Sequence, residues 1–77
     1  MLTPELIQQR IRDCELIPEP QPRQYAALEA AAKALGLDMD TTWRRVTLAA
    51  CAPPEHYNQD ILRAAAAYVE AYGQTAP

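Results

Sequence analysis

The sequence predicts an all-α fold, a compact bundle of about four helices in a single domain spanning residues 1–77. Apolar residues recur at spacings of three and four positions, which is the period of a helix packed on one side. No segment shows the alternation of apolar and polar residues that is typical of a half-buried strand. Breaks rich in proline or glycine divide the chain into helical segments, and such helices bury their apolar stripes against one another.

The first helix is predicted over residues 4–15. Thr3 is placed to act as its N-cap, and Pro4 suits the first helical position. The predicted inward stripe consists of Ile7, Ile11 and Cys14. Three prolines at alternate positions then disfavour helix and predict an extended connector over residues 18–22. We interpret this connector as a rigid spacer, and a proline-rich docking motif is the alternative.

The second and third helices are predicted over residues 23–35 and 41–51. Gly36 follows the second helix, where glycine commonly closes a helix in the left-handed conformation. The predicted inward face of the second helix consists of Tyr25, Leu28, Ala32 and Leu35. Its many alanines allow close approach of another backbone, so we expect this helix to be central or to face a partner. Either Asp38 or Asp40 is the N-cap of the third helix, whose predicted inward stripe is Trp43, Val46 and Ala50.

The last helix is predicted over residues 55–72, after a Pro-Pro break and before Gly73, and it begins either at Pro54 or after Asn58. The residues expected to align on its inward face are Tyr57, Ile61, Ala65, Tyr68 and Tyr72. Tyr68 and Tyr72 are interpreted as residues that cap the core with their hydroxyl groups in water. The alternative is that the two tyrosines are exposed and mark a binding face.

The charge balance argues against a nucleic-acid partner. Seven basic residues stand against ten acidic ones, which gives a net charge of −3 and a pI of about 4.9. Because nucleic-acid binding depends largely on phosphate neutralisation, this balance favours a protein partner with a basic surface.

No apolar run approaches the roughly 20 residues that span a bilayer, and the N-terminus lacks a signal pattern. We therefore expect a cytoplasmic protein with no membrane contact.

The sequence contains no convincing catalytic, metal or cofactor site. Cys51 and His56 lie close in sequence and are the one conceivable thiolate–imidazole pair, but no orienting third residue is evident. The acidic residues lack metal-site spacing, and two glycines cannot build a phosphate-binding loop. Cys14 and Cys51 are expected to be reduced core thiols, with a single disulfide as the alternative. We predict a protein that is not an enzyme and needs no cofactor.

Residues 31–46, AAKALGLDMDTTWRRV, resemble the helix-turn-helix of phage repressors and of the LacI-type headpiece. The similarity lies in a small residue before a Leu-Gly-aliphatic turn, followed by a threonine and an arginine on the next helix. Residues 71–73, Ala-Tyr-Gly, are similar to the end of the headpiece's third helix. The resemblance implies a DNA-binding regulator in which residues 41–45 form the recognition helix, and Arg44 or Arg45 contacts bases or phosphates.

By elimination, the sequence favours a small acidic interaction module that regulates or inhibits a larger protein. Arg44 and Arg45 beside Trp43 form a cationic and aromatic cluster of the type found at interface hot spots. The predicted partner contacts are Arg44, Arg45, Tyr68 and Tyr72. Accessory proteins of phages and mobile elements have this general character, and a homodimer is a further possibility. DNA is a partner only under the helix-turn-helix alternative.

Overall fold

A computed structural model describes residues 3–13 and 22–74, and every regular element within them is helical. The four α-helices are α1 (Pro4–Asp13), α2 (Pro22–Leu35), α3 (Met39–Cys51) and α4 (Gln59–Gln74), and a 3-10 turn (Pro54–His56) precedes α4. The predicted all-α bundle of about four helices is therefore confirmed. The predicted end of the first helix at residues 14 and 15, including Cys14, and most of the predicted connector lie outside the described residues.

Pro22 differs from the prediction, because it begins α2 and does not belong to the connector. Proline is favoured at the first position of a helix, because an N–H group there would have no acceptor within the helix and its absence costs nothing.

The other end of α2 agrees with the prediction. Gly36 adopts a φ of 69° and ends the helix. The N–H of Leu37 donates to the Ala32 carbonyl at 3.0 Å and the N–H of Gly36 to the Lys33 carbonyl at 3.3 Å, which closes the last turn.

Asp38 is the N-cap of α3, so the helix begins at Met39, two residues earlier than predicted. The Asp38 carboxylate accepts hydrogen bonds from the Thr41 N–H at 2.8 Å and from the Thr41 hydroxyl at 2.6 Å. These bonds satisfy a donor that would otherwise have no partner within the helix. Of the two candidate N-caps, Asp38 and Asp40, the structure therefore selects Asp38. Asp40 lies in the first turn of the helix and is exposed.

The region predicted as one helix over residues 55–72 consists of the 3-10 turn and α4. Asn58 separates them, because its side-chain oxygen accepts a hydrogen bond from the Ile61 N–H at 2.8 Å and caps α4. Gly73 was expected to follow the helix but lies within its last turn. The two glycines of the chain therefore have different backbone conformations, one left-handed and one helical.

Alanine substitutions at the two glycines should change stability in opposite directions. Gly36→Ala should lower the free energy of unfolding by about 1–2 kcal/mol, because side chains other than glycine are strained at this positive φ. Gly73→Ala should raise it, by up to about 1 kcal/mol, because alanine favours helix over glycine. A Cβ atom at either position meets nothing within 4 Å, so the backbone alone decides the sign. Urea denaturation followed by circular dichroism measures both, and equal shifts would contradict this account.

The main core forms where α2 packs against α4, the most extensive helix contact among the described elements. Ala27, Ala31 and Ala64 are fully buried there, and their small side chains let the two backbones approach closely. The alanines of α2 therefore allow the close approach of another backbone, as predicted, but the central helix is α4, which contacts α1, α2 and α3. Tyr25 does not belong to the inward face as predicted, because its side chain is 52% exposed. The buried face is rotated toward the alanines, which fit the narrow space against α4.

A second cluster attaches α1 to the bundle. Its buried members are Ile7, Ile11, Ala49, Ile61 and Ala65, from α1, α3 and α4. The predicted inward positions of Ile7 and Ile11 are confirmed. Within the described residues, no helix has the length and apolar character needed to cross a membrane.

Gln8 joins α1 to the C-terminal end of α3 through a buried side chain. Its amide Nε2 donates to the Ala49 carbonyl at 3.2 Å and to the Ala52 carbonyl at 2.7 Å. The Tyr57 hydroxyl also donates to the Ala49 carbonyl. Burial raises the pKa of Tyr57, which keeps this hydroxyl protonated as a donor. These bonds satisfy carbonyl groups at the end of α3 and fix the helix against α1.

Candidate interaction surface on the third helix

The buried side of α3 determines which residues of this helix reach solvent. Its fully buried residues are Thr42, Val46 and Ala49. The predicted stripe was correct for Val46, whereas Trp43 and Ala50 are half-buried and pack at the edges of the two core clusters. Thr42 is tolerated in the core because its hydroxyl donates to the Asp38 carbonyl at 2.8 Å, so its polar group has a partner.

The opposite side of α3 forms an exposed strip that we call the outer face of α3. It consists of Asp40, Arg44, Leu48 and Cys51, which follow one another at spacings of four, four and three residues. Leu48 is 50% exposed and, with Leu6 and Tyr25, is one of three large hydrophobic side chains that are exposed among the described residues. Cys51 is an exposed free thiol, so the prediction of a core thiol is wrong at this position. The rotation that buries Thr42 also turns Cys51 outward.

Arg44 and Arg45 do not share one surface. Arg44 lies on the outer face of α3, where its guanidinium Nη2 is 3.0 Å from the Asp40 carboxylate and 76% of its side chain is exposed. The Arg45 side chain is 30% exposed and lies 4.0 Å from the Asp60 carboxylate of α4. Successive helical residues point about 100° apart, which explains the separation. Of the two arginines predicted as partner contacts, Arg44 is the one that faces outward from α3.

The first turn of α3 is negatively charged. Hydrogen bonds from the Thr41 hydroxyl, and next from the Thr41 backbone N–H, lower the pKa of Asp38, and the charge of Arg44 adds a smaller contribution. Asp38 therefore carries its negative charge at neutral pH. The Asp40 side chain, 71% exposed, places a second carboxylate in the same turn. Arg44 thus stands beside two acidic groups.

The cap predicts a specific pH dependence of stability. Because the pKa of Asp38 is lower in the folded chain than its ordinary 3.8, the charged cap stabilises the fold above that pH. This contribution is lost as the pH falls through the lowered pKa. Asp38→Asn keeps a capping side chain without a charge, so wild type should lose stability relative to this variant below about pH 4. Thermal melts of both proteins from pH 7 to pH 2 measure it, and a constant difference would contradict the assignment.

Tyr68 is a core residue and not a partner contact. Its side chain is completely buried, and its ring packs edge-on against Trp43 with the centroids 6.3 Å apart. The Tyr72 ring lies on another side of it at 6.1 Å. The prediction that the Tyr68 hydroxyl reaches water is therefore wrong, because α2 and α3 cover this part of α4.

Tyr72 connects the end of α4 to the start of α2. The Arg23 guanidinium stacks on the Tyr72 ring at 3.9 Å from its centroid, and its Nη2 donates to the Tyr72 carbonyl at 3.0 Å. A cation at this position complements the negative end of the helix dipole. Tyr72 remains half-buried, and the contact with Arg23 gives it a structural role that the sequence did not indicate.

Cys51 and His56 are the two residues that the sequence offers as a thiolate–imidazole pair. Cys51 ends α3, and His56 ends the 3-10 turn, with both side chains exposed. Over residues 3–13 and 22–74, no three His, Cys, Asp or Glu side chains group closely enough to hold a metal ion. The thiol and the imidazole are both accessible to solvent.

The solvent side of α2 carries an open depression of about 660 Å³. Its lining consists of Pro22, Tyr25, Ala26, Glu29, Ala30 and Lys33. A smaller groove of about 170 Å³ between α2 and α4 shares Ala30 and is lined mainly by further alanines. The alanines of the smaller groove provide apolar surface without a convergent set of polar groups.

Residues 31–46 form the end of α2, a short turn and the first half of α3. Comparison of the chain with models of known protein families, with curated proteins and with solved structures finds no match. The function must therefore be inferred from the geometry and charge of this chain alone.

Leu48 is exposed on the outer face of α3 and was not among the predicted partner contacts. The spacing of residues 40, 44, 48 and 51 marks one side of a helix and could have indicated it. A buried threonine on the same helix as an exposed leucine is not the arrangement that hydrophobicity predicts. It is explained by the hydrogen bond from the Thr42 hydroxyl to the Asp38 carbonyl.

Proposed function

We propose that this chain is a small acidic interaction module that regulates or inhibits a larger protein by docking the outer face of α3 on it. The supporting observation is the half-exposed Leu48, which follows the outward Arg44 on the same side of the helix. Arginine is enriched among the residues that supply interface binding energy, and the exposed leucine beside it adds apolar surface that a partner can bury.

The ion pair on the outer face of α3 can be exchanged for ion pairs with a partner. An exposed ion pair such as that of Arg44 with Asp40 contributes only about 0.2–1 kcal/mol to stability. A partner carboxylate can therefore replace Asp40 at small cost, and a partner's basic group can pair with the freed carboxylate. The expected partner surface has an apolar centre with both signs of charge around it.

DNA binding remains the second candidate, because a short turn leads into α3 and Arg44 points outward from its first half. Helix-turn-helix proteins place their base contacts in this part of the second helix. The local charge favours a protein partner instead. Asp38 and Asp40 bring two carboxylates to the surface that would approach phosphates, and Arg45 lies beside Asp60. One outward cation between two acids is a poor match for a duplex.

Titration of the wild-type chain against random duplex DNA separates the two candidates. At about 50 mM salt, even non-specific DNA-binding proteins reach micromolar affinity, since phosphate contacts dominate under these conditions. We expect no saturable binding, measured by fluorescence anisotropy of labelled duplex. Binding that weakens steeply with added salt would overturn the protein-interaction proposal and favour the DNA-binding regulator.

The proposed surface is tested by comparative capture of proteins from a lysate of the source cells. The immobilised baits are wild type, Arg44→Glu, Leu48→Asp and the control Arg63→Glu, which makes the same charge change at an exposed position of α4. We expect a stoichiometric partner on wild type and the control, and at least about tenfold less on the two α3 variants, a difference of about 1.4 kcal/mol. Circular dichroism verifies that all four baits are folded. Equal recovery on all baits would contradict docking through α3.

A further inference from the structure

We draw no further inference here: the strongest candidate, the open depression along α2 beside the exposed Tyr25, carries nothing because nothing in the structure shows what covers it.

Discussion

Replacing Tyr68 with alanine is expected to lower the free energy of unfolding by about 3–5 kcal/mol, the usual cost of deleting a large buried aromatic side chain. Tyr68 is fully buried between α2, α3 and α4 and packs against both Trp43 and Tyr72. The neighbouring helices cannot close the resulting cavity without losing their own contacts. Small domains have a total stability of only about 5 kcal/mol or somewhat more, so the variant should lose most of its stability. Urea denaturation followed by circular dichroism measures the change.

Tyr25→Ala is the matched control for this substitution. Tyr25 was expected on the inward face of its helix, yet half of its side chain is exposed. The same truncation should therefore change stability by no more than about 0.5 kcal/mol. Similar losses for the two variants would show that the core is not organised around Tyr68. Trp43→Ala should fall between them, because Trp43 is half-buried at the edge of the same cluster.

Gln8→Leu is expected to destabilise the domain by about 1–3 kcal/mol, although it replaces a polar side chain by an apolar one of similar size. Gln8 donates two hydrogen bonds to carbonyl groups at the end of α3, and its side chain is almost completely buried. Leucine offers no donor, so the Ala52 carbonyl loses the bond from Gln8. The cost is the desolvation of that group, which the added apolar contact does not replace.

The adjacent Gln9 provides the control for Gln8. Gln9 is exposed on the same helix, so Gln9→Leu makes the same chemical change without removing a buried hydrogen bond. Its effect on the free energy of unfolding should stay within about 0.5 kcal/mol. If both leucine variants unfold at the same urea concentration as wild type, the connection between α1 and α3 does not depend on Gln8.

The fold was largely predictable because its signals are local. Apolar spacing predicted four helices, and Gly36 predicted the end of α2 from the backbone conformation that glycine alone adopts easily. Gln8 could not be predicted, because its acceptors lie more than 40 positions away in sequence. Tyr25 and Tyr68 each lie on a predicted inward face, and only the packing of the alanines against α4 decides which of the two is buried.

The candidate site was predictable only in part. The sequence selected Arg44 and Arg45 together, whereas adjacent helical residues point about 100° apart, and here Arg44 faces outward while Arg45 lies beside Asp60. The choice between them depends on the rotation of α3 about its axis, which is set by the burial of Thr42. The predicted and observed buried faces share Val46, but the observed face is turned toward Thr42 and Ala49. This smaller rotation places Cys51 on the outer face.

The most direct test of docking through α3 uses Cys51 as a native reporter of the outer face. The rate of Cys51 alkylation by iodoacetamide is measured by peptide mass spectrometry, for the chain alone and in the captured complex, with the Cys14 peptide quantified separately. The exposed free thiol should react readily in the isolated chain. Docking through α3 predicts that the partner slows this reaction several-fold. An unchanged rate for Cys51 in a stoichiometric complex would contradict the proposal, because the partner would then bind elsewhere.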